Sequence, residues 1–245
     1  MISERPVSLL VVDDEKDSCA NLQDILSELG YSVDVAYDGF TALDLIDQKP
    51  YDVALLDLKM PGMDGVELYR RIKARRAETV AIMVTAYASS DTAREVRKLG
   101  AWQILSKPVD LTRLLNFVEE ASAQPLVMVV DDDRDLCDTL WDLFREHNLR
   151  VCLAHSADEA DRLLNDRQQD VVLLDLKLPG AGGAEVYRML RQSCPCSKVI
   201  IITGYRDEMK REVEQAVQEG ADAVCYKPFD VGHLLATVQQ LTKRE

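Results

Sequence analysis

The chain has 245 residues, 47% hydrophobic and 29% charged, a composition that supports a packed core and excludes the disordered, collagen-like and disulfide-scaffold classes. Twenty-nine Lys and Arg against 43 Asp and Glu leave a formal charge of −14, which repels nucleic-acid phosphates and anionic lipid headgroups. No run approaches the roughly 18 apolar residues of a spanning helix, and the N-terminus lacks a cationic segment followed by an apolar one. A cytoplasmic protein without direct nucleic-acid or membrane contact is expected.

Short runs rich in Val, Ile and Leu alternate with longer amphipathic stretches, the signature of strand-helix units around a parallel sheet buried on both faces. In chain order, strands are predicted near residues 9–12, 32–36, 53–57, 80–84 and 103–105. They return near 127–130, 150–154, 171–174, 198–202 and 223–226. In the first helix Leu22, Ile25, Leu26 and Leu29 share one face, expected to pack on the core, and Gly30 stands where a C-terminal cap glycine belongs.

The second five strands repeat the first. Ser8-Leu-Leu-Val-Val-Asp-Asp14 returns as Leu126-Val-Met-Val-Val-Asp-Asp132, an offset that persists from Ala54–Gly62 to Val172–Gly180 and from Met83–Thr85 to Ile201–Thr203. Ser106-Lys-Pro-Val-Asp110 and Tyr226-Lys-Pro-Phe-Asp230 stand two residues further apart. The insertion is expected in the helix beginning near Arg206. Two domains are therefore expected, residues 1–123 and 124–245, each with a net charge of −7 and joined through the short segment Ser122–Leu126. The expected fold class is α/β, two tandem (βα)5 doubly wound domains with parallel five-stranded sheets.

In an open parallel sheet the carboxyl ends of the strands form the ligand crevice. Each copy puts polar residues there: Asp13 and Asp14 after the first strand, Asp57 ending the third, Thr85 after the fourth and Lys107 after the fifth. The second copy repeats them as Asp131, Asp132, Asp175, Thr203 and Lys227. One carboxylate at a strand end is as readily a helix cap as a ligand, but that reading accounts poorly for five positions recurring twice. Three carboxylates in one pocket repel one another unless a cation neutralises them, and an all-oxygen site suits a hard ion such as Mg²⁺. Cation, lysine and hydroxyl together suit a phosphoryl group, with one carboxylate left as nucleophile.

These residues carry a resemblance. The run Leu55-Leu-Asp-Leu-Lys-Met-Pro-Gly-Met-Asp-Gly65, with Asp-Asp upstream and Lys-Pro downstream, resembles the receiver domains of two-component response regulators, here two in tandem over nearly the whole chain. The resemblance implies the flavodoxin-like, CheY-like fold with strand order 2-1-3-4-5. It implies transfer of phosphoryl groups onto Asp57 and Asp175 from a phosphohistidine on a sensor histidine kinase or a histidine phosphotransfer protein. Mg²⁺ would be held by Asp13, Asp14, Asp57 and the backbone carbonyl of Lys59, and by Asp131, Asp132, Asp175 and that of Lys177. Lys107 and Lys227 would pair with a phosphoryl oxygen, and the Thr85 and Thr203 hydroxyls would bond another. Such a protein is a phosphoacceptor rather than an enzyme, acting through an unidentified downstream protein target and leaving a homodimer open. A docking or dimerisation adaptor, and the receiver portion of a hybrid histidine kinase, are the alternatives.

Several positions depart from the family pattern. Ile104 and Val224 stand where many receivers carry an aromatic switch residue, with Trp102 and Tyr226 nearby as expected surface packing. Little more than a final helix follows the tenth strand, so no output domain is expected. His147, His155 and His233 read as structural. Cys19, Cys137, Cys152 and Cys225 read as buried thiols, and Cys194 and Cys196 as an exposed pair. Lys59 with Lys177 and Tyr87 with Tyr205 flank the pockets in both copies and are expected to screen water from an acyl phosphate, favouring a long-lived phosphoaspartate. Gly62, Gly65, Gly180, Gly182 and Gly183 read as loop formers after Pro61 and Pro179.

Overall fold

A computed structural model describes residues 6–86, 94, 96, 98, 100–179, 183–204 and 210–243. The chain divides into two compact units after Gln124, one residue beyond the boundary expected from the repeat. Gln124 caps the helix Leu111–Ala123, its N–H pointing back to the Ala121 carbonyl, and so stays with the first unit.

In the first unit β1 (Ser8–Val12), β2 (Ser32–Ala36), β3 (Val53–Asp57), β4 (Val80–Thr85) and β5 (Gln103–Ser106) form one parallel sheet in the order 2-1-3-4-5. In the second, β6 (Leu126–Val130), β7 (Arg150–Ala154), β8 (Val171–Asp175), β9 (Lys198–Thr203) and β10 (Ala223–Tyr226) repeat that order as 7-6-8-9-10. The expected strands are present, several longer by a residue. Thr85 and Thr203 accordingly end their strands instead of following them.

The period-2 alternation of strand side chains sorts each sheet's residues to its two faces. In the first unit Leu9, Val11, Val53, Leu55 and Ile82 pack beneath the helices Lys16–Glu28 and Leu111–Ala123. Leu10, Val12, Ala54, Leu56 and Met83 face the helices Gly39–Gln48 and Gly65–Arg75. The amino ends of the sheets are pinned the same way in both units. The Ser8 N–H donates to Asp52 at 2.9 Å, and the Leu126 N–H donates to Asp170 at 2.8 Å.

The first helix corrects one expectation. Cys19, Leu22 and Leu26 form its inner stripe, whereas Ile25 and Leu29 are 37% and 54% exposed. Ile25 lies beside the stripe, and Leu29 is the cap beyond the last helical residue, turned away as the chain reverses. That reversal is the glycine-capped turn expected at Gly30, which has φ +91° and is closed by Gly30 N–H to Ser27 O and Tyr31 N–H to Leu26 O. The second unit builds the same turn with Asn148 at φ 57°, since Asn is the non-glycine residue best suited to a left-handed backbone. Among the described residues no helix is long and apolar enough to cross a membrane.

Candidate functional site

The strand order places β1 beside β3 in the first sheet and β6 beside β8 in the second, so the carboxyl ends of each pair open into one crevice. The first aspartate of each pair is fixed by its own turn: Asp13 Oδ1 accepts from the Glu15 N–H and Asp131 Oδ1 from the Asp133 N–H, both at 3.0 Å. Asp57 Oδ1 accepts from the Lys59 N–H at 3.1 Å and Asp175 Oδ1 from the Lys177 N–H at 2.9 Å. One oxygen of each carboxylate is thus committed to the backbone, and the other faces the pocket.

The lysines that follow β5 and β10 close the arrangement. Lys107 Nζ lies 2.7 Å from both Asp13 Oδ2 and Asp57 Oδ2. Lys227 Nζ lies 2.5 Å from Asp131 Oδ2 and 2.7 Å from Asp175 Oδ2. Burial of each ammonium acts to lower its pKa, but its bonds to two carboxylates outweigh that and hold both lysines above the usual 10.5. Burial pushes Asp131 up, against the Lys227 hydrogen bond. Each lysine precedes a cis-proline, Pro108 or Pro228.

With Asp14 and Asp132 at the exposed rim, carboxylate oxygens of Asp13, Asp14 and Asp57 lie within 4.8 Å of one another, as do those of Asp131, Asp132 and Asp175. Each pocket thus sets three carboxylates, two of them bridged by the lysine, around one small space. An all-oxygen donor set of that spacing fits Mg²⁺. Thr85 and Thr203 are buried at the ends of β4 and β9, in register with Ser106 and Tyr226, the residues that precede the two lysines. Lys59 and Lys177 are exposed. Tyr87 and Tyr205 lie outside the described residues.

Gly65 and Gly183 are not loop formers. Each opens a helix, and a Cβ there would sit 2.2 Å from the Asp57 carbonyl oxygen or 2.4 Å from that of Asp175. The Gly65 N–H donates to Leu58 O and the Gly183 N–H to Leu176 O, both at 3.1 Å, so the helix is laid directly on the backbone of the acceptor strand's end. The repeat of these glycines at the common offset is the sequence signal of that contact. Gly62, with φ +81°, does form a turn, while Gly180 and Gly182 lie outside the described residues.

Other expectations divide. Ile104 and Val224 are half-buried against the cores, and Trp102 packs edge-on against Phe117 with ring centroids 5.5 Å apart. His147 caps a helix, with Nδ1 2.8 Å from Leu143 O, and the His233 N–H donates to the Asp230 cap. Cys194 corrects the exposed-pair reading, because it is buried with its thiol directed to Leu164 O, leaving Cys196 exposed. Burial and the adjacent aspartates push the Cys19 thiol up to about 11 and the Cys137 thiol up to about 12. The thiolate is the reactive form. Brief iodoacetamide treatment of the folded protein should therefore carboxamidomethylate Cys196 first, with Cys19 and Cys137 modified only after unfolding; peptide mass mapping reads the order.

Fold and pocket together define a doubly wound α/β protein with one carboxylate–lysine site at the carboxyl ends of the strands in each unit. The family model of the response regulator receiver domain matches residues 9–119 and again residues 127–239. The chain belongs to that family, as two receiver domains in tandem, a family of signalling domains rather than classical enzymes. It is 33% identical over 232 residues to a response regulator receiver protein of Anaeromyxobacter sp. (strain Fw109-5), covering 95% of this chain and 94% of the relative. Sporulation initiation phosphotransferase F of Bacillus subtilis (strain 168) is 34% identical over 46% of this chain and 90% of its own length. Transcriptional regulatory protein ZraR of Klebsiella oxytoca is 39% identical over 50% of this chain and 28% of that protein.

Proposed function

We propose that each copy accepts a phosphoryl group, on Asp57 and on Asp175, from a phosphohistidine of a sensor histidine kinase or histidine phosphotransfer protein, and passes the signal on through protein contacts in the cytoplasm. The observation that carries this reading is the lysine bridging two strand-end carboxylates beside a third, built identically twice. The single-domain likeness to a phosphotransferase supports it.

In the transfer a carboxylate oxygen of Asp57 attacks phosphorus. The nitrogen–phosphorus bond to the donor imidazole breaks, and the imidazole leaves with that electron pair. The backbone N–H of Lys59 holds one acceptor oxygen in place. Lys107, freed from Asp57 as the carboxylate becomes an acyl phosphate, pairs with a phosphoryl oxygen, and the Thr85 hydroxyl at the neighbouring strand end bonds another. Lys177, Lys227 and Thr203 do the same for Asp175. Mg²⁺ held by Asp13, Asp14, Asp57 and the Lys59 carbonyl, or by Asp131, Asp132, Asp175 and the Lys177 carbonyl, would neutralise charge on the transferring group. Positioning and charge neutralisation are most of what a phosphoryl transfer asks of a protein.

Incubation with acetyl phosphate and Mg²⁺ followed by intact-protein mass spectrometry tests the reading. Two phosphoryl groups are expected on the chain, one on Asp57→Asn, one on Asp175→Asn and none on the double variant or in the presence of a chelator. A chain that takes up none under any condition would be a docking adaptor instead.

A further inference from the structure

The two pockets share their charged residues and differ in what surrounds the first aspartate. In the first copy the Ser18 hydroxyl, one turn into the helix that follows, lies 3.4 Å from Asp13 Oδ2, the oxygen that also meets Lys107. The equivalent residue in the second copy is Leu136, which brings no polar atom to Asp131. On the opposite side His155 stands against the second pocket, its Nδ1 3.2 Å from the Asp131 backbone oxygen. The equivalent Tyr37 is 45% exposed, with Lys16 over its ring. The Asp13 side chain is 6% exposed and that of Asp131 is 0%.

Mg²⁺ gives up water reluctantly and keeps several waters when bound to carboxylates. Those waters need partners, which a hydroxyl supplies and an isobutyl group does not. We propose that the two pockets are unequal Mg²⁺ sites, the first filling at lower concentration than the second because Ser18 offers a hydrogen-bond partner where Leu136 offers none. Ser18 is a positioning residue, acting on the aspartate and its hydrated ion rather than on the phosphoryl group. Because phosphorylation in each copy needs its ion, the first copy is charged more fully than the second at subsaturating Mg²⁺. This ordering of the two sites rests on the function proposed above.

Calorimetric titration of the full chain with MgCl2 tests it directly, with the other site disabled in each case. The Asp131→Asn/Asp132→Asn background reports the first site and the Asp13→Asn/Asp14→Asn background the second. One hydrogen bond corresponds to roughly a two- to tenfold ratio of dissociation constants, with the first site tighter. Ser18→Ala should weaken the first site by that factor and leave the second unchanged, and Leu136→Ser should tighten the second. Circular dichroism and the metal-free unfolding midpoint show whether each variant is folded; if Leu136→Ser is not, Ser18→Ala decides alone. Equal constants, the reverse order, or a folded Ser18→Ala with unchanged affinity would overturn the inference. Acetyl phosphate labelling separates the two levels. Labelling of both aspartates with the same Mg²⁺ dependence sinks only the inequality, whereas no labelling at saturating Mg²⁺ sinks the proposed function as well.

Discussion

Gly65→Ala is expected to destabilise the first receiver by about 3 kcal/mol, the upper part of the range for forcing an extra methyl into a packed site, and to abolish phosphorylation of Asp57 while sparing Asp175. The added Cβ would meet the Asp57 carbonyl oxygen at 2.2 Å and Leu58 Cα at 2.9 Å. Both are backbone atoms at the end of a central strand and have no rotamer with which to escape. Either the helix Gly65–Arg75 lifts from the sheet or the strand end carrying the acceptor shifts, and the Lys107–Asp57 contact is lost in both cases. Gly62→Ala is the control. It places a side chain at φ +81° with nothing within 4 Å among the described residues, so it costs the left-handed strain of about 1–2 kcal/mol. Denaturant unfolding followed by Trp102 fluorescence in a Trp141→Phe background reads the first unit alone. A loss at Gly65 no greater than at Gly62 would show that the close approach is not what fixes this glycine. Gly183→Ala should reproduce the effect at Asp175.

Lys107→Met is expected to cost about 2–3 kcal/mol near neutral pH without Mg²⁺, and Lys227→Met about the same. Each removes the one cation that, among the described residues, meets two carboxylates whose side chains are at most 8% exposed. Breaking such a pair by deleting one partner leaves uncompensated buried charge, worth about 3–5 kcal/mol when fully buried and less here because the lysines retain 22% and 23% exposure. The pH dependence follows from linkage. A lysine held above 10.5 contributes stability that is fully present below that value and is lost as pH rises through its higher folded-state pKa, so parent and variant should converge on the strongly alkaline side. Mg²⁺ should restore most of the loss at neutral pH by replacing the missing charge. Unfolding free energies measured from neutral to strongly alkaline pH, with and without Mg²⁺, check both expectations. A variant as stable as the parent at neutral pH in the absence of metal would show that the lysine is not the counter-charge.

The site's composition was legible in the residues because its members come from motifs short enough to recognise and repeated at a fixed offset. Asp13-Asp14 and Asp131-Asp132 follow apolar strand runs, Asp57 and Asp175 end them, and each Lys-Pro follows a short fifth strand. The mistaken readings concern contacts between elements. Gly65 looks like part of a Pro-Gly loop until the helix it opens is seen resting on the Asp57 carbonyl. Leu29 keeps the helical period of Leu22 and Leu26 but stands past the end of the helix, where the chain has already turned away. Cys194 precedes a strand in polar sequence, yet its thiol is covered by the carbonyl of Leu164, thirty residues earlier.

By itself, then, the sequence determined that there are two (βα)5 units, which residues ring each pocket, and that the pockets carry the same charges. Hydrophobic period, cap chemistry and repetition are local or periodic properties, and those are what a linear pattern records. Only the tertiary structure decided that one lysine is shared between two aspartates, that a glycine is demanded by an approach of 2.2 Å, and that Ser18 and Leu136 give two formally identical pockets different surroundings. Those outcomes depend on distances between atoms brought together from separate strands and helices. Angstrom-scale separation sets both the steric cost of a methyl group and the strength of a charge pair.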